Sequence, residues 1–306
     1  MVIKKDFCYS RNAFSGNLIY LGPQMYCKRQ NKGMILVLVL WVMFFLSVSA
    51  ITLAFKNRVN IRLRSLSNEK MRMLNFSKEA CNRALAVLAD DDHNFDCLAD
   101  LWNENFSLQK DTGLLSYKVI DEDSFININT VPELVLRNIM IIFPDIGGEV
   151  IDKIIASRPF NLEREVIDTA GVDKNLFYGD DTAYNPGLKD LITVFSDGKL
   201  NVNTASRNVL MLVPTMNESA ADAIIGWRKD NPFKDSAMLS ADLSALGLSA
   251  VQVSELVSLS KISSSVFRIK TEAVSAKKCV AVGTEMIVRR QGQHFKVLLF
   301  KECQVD

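Results

Sequence analysis

The chain has 306 residues, with 36 Lys and Arg against 35 Asp and Glu, for a net charge of +1. That balance argues against a dedicated nucleic-acid binder, which carries a basic excess. The two histidines, His93 and His294, leave room for His-dependent chemistry only in minimal form. The length predicts roughly two domains. At 48% hydrophobic and 23% charged, the composition fits a packed core and excludes a disordered or fibrous chain.

Met34 to Phe55 form an uncharged apolar run of 22 residues. As a helix it spans about 33 Å, against ~30 Å for the hydrocarbon layer of a bilayer. A buried core helix of this length would carry polar residues on one face, so the run reads as a membrane span. The run is too long for a secretory signal peptide, and the helical pattern continues past the small residues Ser47, Ser49 and Ala50. Six basic residues precede it (Lys4, Lys5, Arg11, Lys28, Arg29, Lys32) and six follow closely (Lys56, Arg58, Arg62, Arg64, Lys70, Arg72), so loop charge does not set orientation.

No Gly occurs between Gly33 and Gly113, and no Pro between Pro23 and Pro132. With both helix breakers absent, the helix is predicted to continue from Met34 to about Ala89. Val59, Leu63, Leu66, Lys70, Met73, Ser77, Cys81, Leu85 and Leu88 recur at spacings of three and four, most of them apolar, and define one stripe for packing.

A basic leader ending in Gly33, followed by an apolar helix that turns amphipathic, resembles the class III signal of prepilins and pseudopilins. The resemblance implies cleavage after Gly33 by a prepilin peptidase and methylation of Met34. A start at Met25 would give a shorter leader, Met25 to Gly33. Most members of that family carry Glu at the fifth mature position, and here it is Leu38. A carboxylate inside a bilayer is costly unless paired, and it can pair with the amino terminus of a neighbouring subunit. A subunit with Leu38 cannot make that pairing upwards but still offers its own amine below, which suits a filament end.

The middle of the chain contains a repeat. Asn127, Asn129 and Thr130 recur 74 residues on as Asn201, Asn203 and Thr204, and Ile151-to-Arg158 matches Ala221-to-Arg228. Pro159-Phe160 and Pro232-Phe233 follow each copy, so the unit is duplicated. Thr130 with Glu133 has the form of a capping box, and Thr204 is predicted to cap the second copy. The asparagines are predicted to satisfy loop backbone groups rather than to catalyse. Val135, Leu136, Ile139, Val209, Leu210 and Val213 are predicted core.

The unit is similar to helix-hairpin-helix DNA-binding modules, whose Gly-rich turn offers N–H groups to phosphate. Here Asp145, Glu149 and Glu218 would repel phosphate and no basic cluster compensates. The same paired unit, with Phe125-Ile126-Asn127-Ile128-Asn129 opening the first copy and Asn201-Val202-Asn203-Thr204-Ala205 the second, resembles type II secretion protein K, of the general secretion pathway protein K family. The missing fifth-position Glu is a feature of that subclass.

Leu114 to Asp121 alternates as a strand. Val266–Val274, Cys279–Arg289 and Phe295–Phe300 read as a three-strand meander, with turns at Ala276-Lys277-Lys278 and Gln291-Gly292-Gln293. Strands on either side of a helical block predict an insertion. The expected fold is α+β and pilin-like: a long N-terminal membrane-spanning helix on a small antiparallel sheet, with a large all-helical domain inserted and containing two helix-hairpin-helix-like repeats. The predicted partition is a leader 1–33, a transmembrane part 34–55, a periplasmic helix 56–89, a first α/β part 90–124, an inserted domain 125–262 with repeats 125–172 and 198–250, and a meander 263–306. Cys81, Cys97, Cys279 and Cys303 follow the span, an even number that allows two disulfides (Cys81 with Cys97, Cys279 with Cys303) or four buried thiols.

Phosphate-loop, Cys-x-x-Cys, His-Glu-x-x-His and Gly-x-Ser-x-Gly motifs are absent, which argues against an enzyme. The acidic groups Asp90 to Asp92 with Asp96, Asp121-Glu122-Asp123 and Asp180-Asp181 lack the EF-hand pattern and are expected to be solvated loops. The protein K resemblance implies calcium in the periplasmic part, its ligands not mapped, with Asp180 and Asp181 the first to test. It also implies a minor pseudopilin of a type II secretion system in the bacterial inner membrane, single-pass with its domain in the periplasm. Its implied partners are other minor pseudopilins in a tip complex, the prepilin peptidase and the inner-membrane assembly platform. The alternative is a membrane-anchored DNA-binding protein of the competence type.

Overall fold

The computed structural model describes residues 32–180, 185–277, 279–292 and 294–303, with the backbone alone at Lys32, Gly33, Asp180 and Asn185. Residues 1–31 of the leader, Asp181, and Lys278 and Gln293 of the predicted turns lie outside the described residues. The chain divides into two compact units, 1–61 and 62–306.

In the first unit the described residues form one helix, α1, which runs unbroken from Lys32 into the second unit and ends at Ala89. Every side chain from Met34 to Ile61 is exposed. By length and composition the apolar part is able to cross a bilayer. Ser47 and Thr52 return their hydroxyls to the carbonyls of Met43 and Val48 four residues back, so these polar side chains are satisfied within the helix.

In the second unit α1 is followed by β1 (Phe106–Lys110) and β2 (Gly113–Asp121). A stretch of short elements comes next: β3 (Ile126–Asn127), α2 (Glu133–Arg137), α3 (Ile139–Ile142), α4 (Gly148–Ala156), α5 (Glu165–Ala170) and α6 (Lys174–Tyr178). It continues through β4 (Gly179–Asp180), β5 (Asn185–Pro186), β6 (Ile192–Thr193), β7 (Leu200–Asn201), α7 (Arg207–Leu210), α8 (Glu218–Asp230), α9 (Leu239–Ala245), α10 (Ala250–Leu259) and β8 (Ser260–Lys261). The chain closes with β9 (Val266–Ser275), β10 (Ala281–Gln291) and β11 (His294–Cys303). The long strands form one antiparallel sheet in the order β1-β2-β9-β10-β11. β2 therefore lies beside β9, although residues 122–265 separate them in sequence.

The period-2 pattern of β2 explains its pairing. Leu115, Tyr117 and Val119 face inward, while Leu114 and Lys118 face out. Against that inner face α1 lays Met73, Leu74, Phe76, Ala80, Cys81, Ala84 and Leu88, and Phe267, Ile269, Met286 and Val288 complete the core. Each large aliphatic side chain buried there contributes about 1.5–3 kcal/mol. The buried stripe begins at Met73, so the upstream members of the predicted stripe, Val59, Leu63 and Leu66, stay exposed. Within the core Ser77 bonds Thr271 and Thr284, which bond each other at 2.7 Å. Helix and two strands thus satisfy one another's hydroxyls in a dry setting.

β1 escaped the sequence pattern because Phe-Ser-Leu-Gln-Lys is an edge strand with three of its five side chains exposed and none fully buried. What holds it is tertiary: Phe106 stacks on Tyr117 at 4.8 Å between ring centres, with the Arg83 guanidinium 4.4 Å above the Phe106 ring. The turn into β2 depends on Gly113, whose φ is +151° and where a Cβ would sit 2.1 Å from the Val274 carbonyl oxygen. Gly113→Ala is expected to cost more than about 2 kcal/mol, read as a lowered urea midpoint, with the helical stretch retained.

Candidate functional site

The two repeats are built on the same asparagine clamp. Asn127 Oδ1 accepts from the Asn129 N–H, and Asn201 Oδ1 from the Asn203 N–H, both at 2.9 Å. Asn129 then brackets the peptide of Phe160, accepting its N–H at 2.8 Å and donating to its carbonyl at 2.9 Å. Asn203 brackets Phe233 in the same way, both bonds at 2.8 Å. One planar amide carries a donor and an acceptor side by side, which is what a buried peptide needs. Arg158 donates to the Val131 carbonyl, and the buried Arg228 to the carbonyls of Val202 and Ala205. Among the described residues Arg228 has no carboxylate partner, and burial lowers it to about 10, still charged at neutral pH.

Each repeat is closed by a two-residue parallel pairing, β3 with β6 and β7 with β8.

Neither predicted threonine cap forms. The helix-capping position of α2 is Pro132, with no side-chain cap. Thr130 instead packs against Gly198, where any Cβ would come within 2.4 Å of its hydroxyl. In the second copy Ser206 caps α7, accepting from Val209 N–H, and Thr204 donates its hydroxyl to Asp121 Oδ2 at 2.5 Å.

That contact belongs to a buried polar joint where the chain leaves the sheet after β2 and returns before β9. The expectation that Asp121-Glu122-Asp123 is a solvated loop is wrong: exposure is 3%, 0% and 0%, and Asp96 is also 0% exposed. Asp121 falls on the inward register of Leu115, Tyr117 and Val119, and its neighbours are drawn in by partners distant in sequence. Asp121 accepts from Thr204, from Ser264 Oγ at 2.6 Å, from Asn201 Nδ2 at 3.2 Å and from the Asp123 N–H at 2.8 Å. Glu122 pairs with Arg268 and accepts from Thr193. Arg268 in turn reaches Glu163 at 2.5 Å and Glu285 at 3.4 Å. Asp123 accepts from the Ser265 N–H at 2.6 Å and pairs with Lys261 at 2.7 Å. Asp96 accepts from the Ser264 N–H at 2.6 Å and pairs with Arg290 at 2.9 Å.

Burial pushes Asp121 up to about 7, reinforced by the neighbouring Asp123 and opposed by the hydroxyls of Ser264 and Thr204. Burial also raises Glu122 and Asp96, outweighing Arg268 and Arg290. For Arg268, burial lowers the guanidinium, but Glu122 and Glu163 hold it above its ordinary value.

The family model described as type II secretion system (T2SS), protein K matches residues 200–260, which cover the second repeat from β7 through α10. A chain of the crystal structure of the GspK-GspI-GspJ complex from the enterotoxigenic Escherichia coli Type 2 Secretion System aligns with a TM-score of 0.59 at 15% identity, covering 80% of this chain and 100% of that one. No curated protein matches. The chain resembles type II secretion minor pseudopilin K in its second repeat and in its fold. At that identity the structural likeness is one of fold.

The remaining predicted residues are dispersed. Gly33 and Met34 lie in the first turn of α1, and Leu38 is exposed on it. All four described cysteines are free thiols, so neither suggested pair is bonded. Their surroundings differ: Cys81 lies 3.6 Å from Thr284 in the sheet core, Cys97 donates to Asp100 at 3.1 Å, Cys279 is exposed beside Ser275, and Cys303 lies 3.8 Å from Glu285. Burial raises the Cys81 thiol, and burial together with Asp100 takes Cys97 to about 11, so both are protonated at neutral pH.

At the hairpins, Arg137 pairs with Asp152, and Arg207 with Asp222 and Glu218. These pairings leave little charge for phosphate. For calcium, Asp181 and the side chain of Asp180 lie outside the described residues. Among the described residues the carboxylates of Asp91, Asp96 and Asp100 come within 4.8 Å of one another. Arg290 pairs with two of them, Asp96 at 2.9 Å and Asp91 at 3.7 Å.

Because the folded-state value of Asp121 lies above its unfolded one, its contribution is full below about pH 4 and is lost as pH rises through about 7. The urea midpoint of the wild type relative to Asp121→Asn is therefore expected to fall across that window and to level off above pH 8.

Proposed function

We propose that this chain is a minor pseudopilin of a type II protein secretion system that joins other minor pseudopilins in the tip complex that initiates and caps the pseudopilus. It acts by assembly and is not an enzyme. The observation that carries this reading is the protein K match at 200–260 in a chain that also bears an uncharged span of membrane length. The crystallised GspK-GspI-GspJ complex supports sister pseudopilins as the partners.

In this reading prepilin peptidase cleaves after Gly33 and Met34 becomes the methylated N-terminus. The segment 34–55 then anchors the chain in the inner membrane, where the assembly platform engages it, and the remainder stands in the periplasm. Residues 56–89, 90–124 and 263–306 form the pilin-like part, and 125–262 form an inserted helical domain with two helix-hairpin-helix-like repeats. The adjacency of β2 and β9 across 122–265 supports the insertion. The inserted bulk disfavours a position along the shaft. Leu38 removes the carboxylate that would meet the amino terminus of a subunit above, while the amine of Met34 remains for a subunit below.

Mass spectrometry of the membrane-extracted chain is expected to find a start at methylated Met34, and recovery of the intact leader would falsify the reading. Leu38→Glu is expected to leave the periplasmic fold unchanged and to shift the subunit from the tip into the shaft, followed by cross-linking to the major subunit. Wild type and variant both cross-linking along the shaft would refute the tip position.

A further inference from the structure

The loop after α1 brings three carboxylates together, those of Asp91, Asp96 and Asp100. Three acids this close repel one another unless a cation sits among them, and a hard divalent ion is the usual solution. Here the chain supplies the charge itself. Arg290, near the end of β10, has a side chain only 6% exposed. Its Nη2 lies 2.9 Å from Asp96 Oδ1 and 3.7 Å from Asp91 Oδ2, and its Nη1 lies 3.3 Å from Asp96 Oδ2. The 3.7 Å contact is an ion pair without a hydrogen bond, so Asp91 Oδ2 is held by charge alone. The guanidinium rests 4.6 Å over the Phe267 ring. Both Asp100 oxygens and Asp96 Oδ2 are occupied as well: Asp100 Oδ2 accepts from the Cys97 N–H at 2.6 Å and from Trp102 Nε1 at 3.2 Å, Asp100 Oδ1 from Cys97 Sγ at 3.1 Å, and Asp96 Oδ2 from Ser264 N–H at 2.6 Å.

We infer that Arg290 is a built-in cation that holds this loop in the role a divalent metal would otherwise fill. The loop matters beyond itself. The Asp96 N–H donates to the Ile262 carbonyl, and the Asp96 carbonyl accepts from Asn201 Nδ2. Arg290 thus ties the end of α1 to the joint between sheet and repeats. A guanidinium fixed by packing cannot be stripped by a chelator or displaced by a change in calcium, so this part of the fold is independent of the metal. Removing only its charge should turn the three acids into a calcium-responsive cluster.

The test uses the full chain in detergent, with thermal unfolding followed by circular dichroism in calcium chloride and in EDTA. The wild-type midpoint is expected to be the same in both. Arg290→Met keeps the stem over Phe267 and is expected to unfold about 10 °C lower in EDTA, with about half of that loss restored by about 5 mM calcium. Adding Asp91→Asn to that variant should abolish the restoration. Two results overturn the proposal: a calcium-dependent rise of the wild-type midpoint that Asp91→Asn removes, or a folded Arg290→Met chain indifferent to calcium. The wild-type arm decides the matter even where the methionine variant does not fold.

Discussion

Four carboxylates, those of Asp96, Asp121, Glu122 and Asp123, are taken out of water at the point where the chain leaves its sheet and later returns to it. Removing an ion from water costs several kcal/mol unless partners replace the lost hydration. Here the partners come from three separate stretches of the second unit: Thr193, Asn201 and Thr204 from the two repeats, Ser264 and Ser265 from the returning segment, and Arg268 and Arg290 from the sheet strands. No single segment can satisfy the joint, so the acids are tolerated only when sheet and repeats are both folded. This couples two hydrophobic cores that have no side chain in common among the described residues, one between α1 and the sheet and one within the helical stretch.

The repeats show how duplication keeps a backbone solution while freeing its surroundings. Asn129 and Asn203 perform one task, bracketing Phe160 and Phe233, with nearly identical distances. The first asparagine of each copy has diverged in its outward bond: Asn127 donates to the Ser196 carbonyl, whereas Asn201 donates into the joint. Thr130 and Thr204 diverged further, one packing on Gly198 and the other donating to Asp121. Equivalent positions in a repeat therefore share what the local backbone demands and differ where the neighbours differ.

The proposed role rests on the division of labour along α1. Up to Leu63 and Leu66 its side chains are exposed and largely apolar, and from Met73 onward one stripe is committed to the sheet. The first part is free to meet lipid or the helices of other subunits, and the second part carries the globular unit.

Much of this was legible in the residues alone. The span, the unbroken helix to Ala89, β2, the closing meander and the duplicated asparagine motif all follow from local patterns: length without charge, absence of Gly and Pro, alternation and self-similarity. β1 was not legible, because its pattern is weak and its stability comes from Phe106 stacking on Tyr117. The threonine caps were misread because a short Thr-x-x-Glu match says nothing of what else competes for the hydroxyl. The acidic turn was misread for a deeper reason. Whether a carboxylate is solvated or buried is decided by the donors that surround it, and those of Asp121, Glu122 and Asp123 lie far along the chain, at residues such as Thr204, Ser264 and Arg268. Periodicity reports which face of a strand a residue occupies, and Asp121 falls on the inner register of β2. Only the tertiary structure decided what that face would meet, since a charge is stabilised by partners in space rather than by neighbours in sequence.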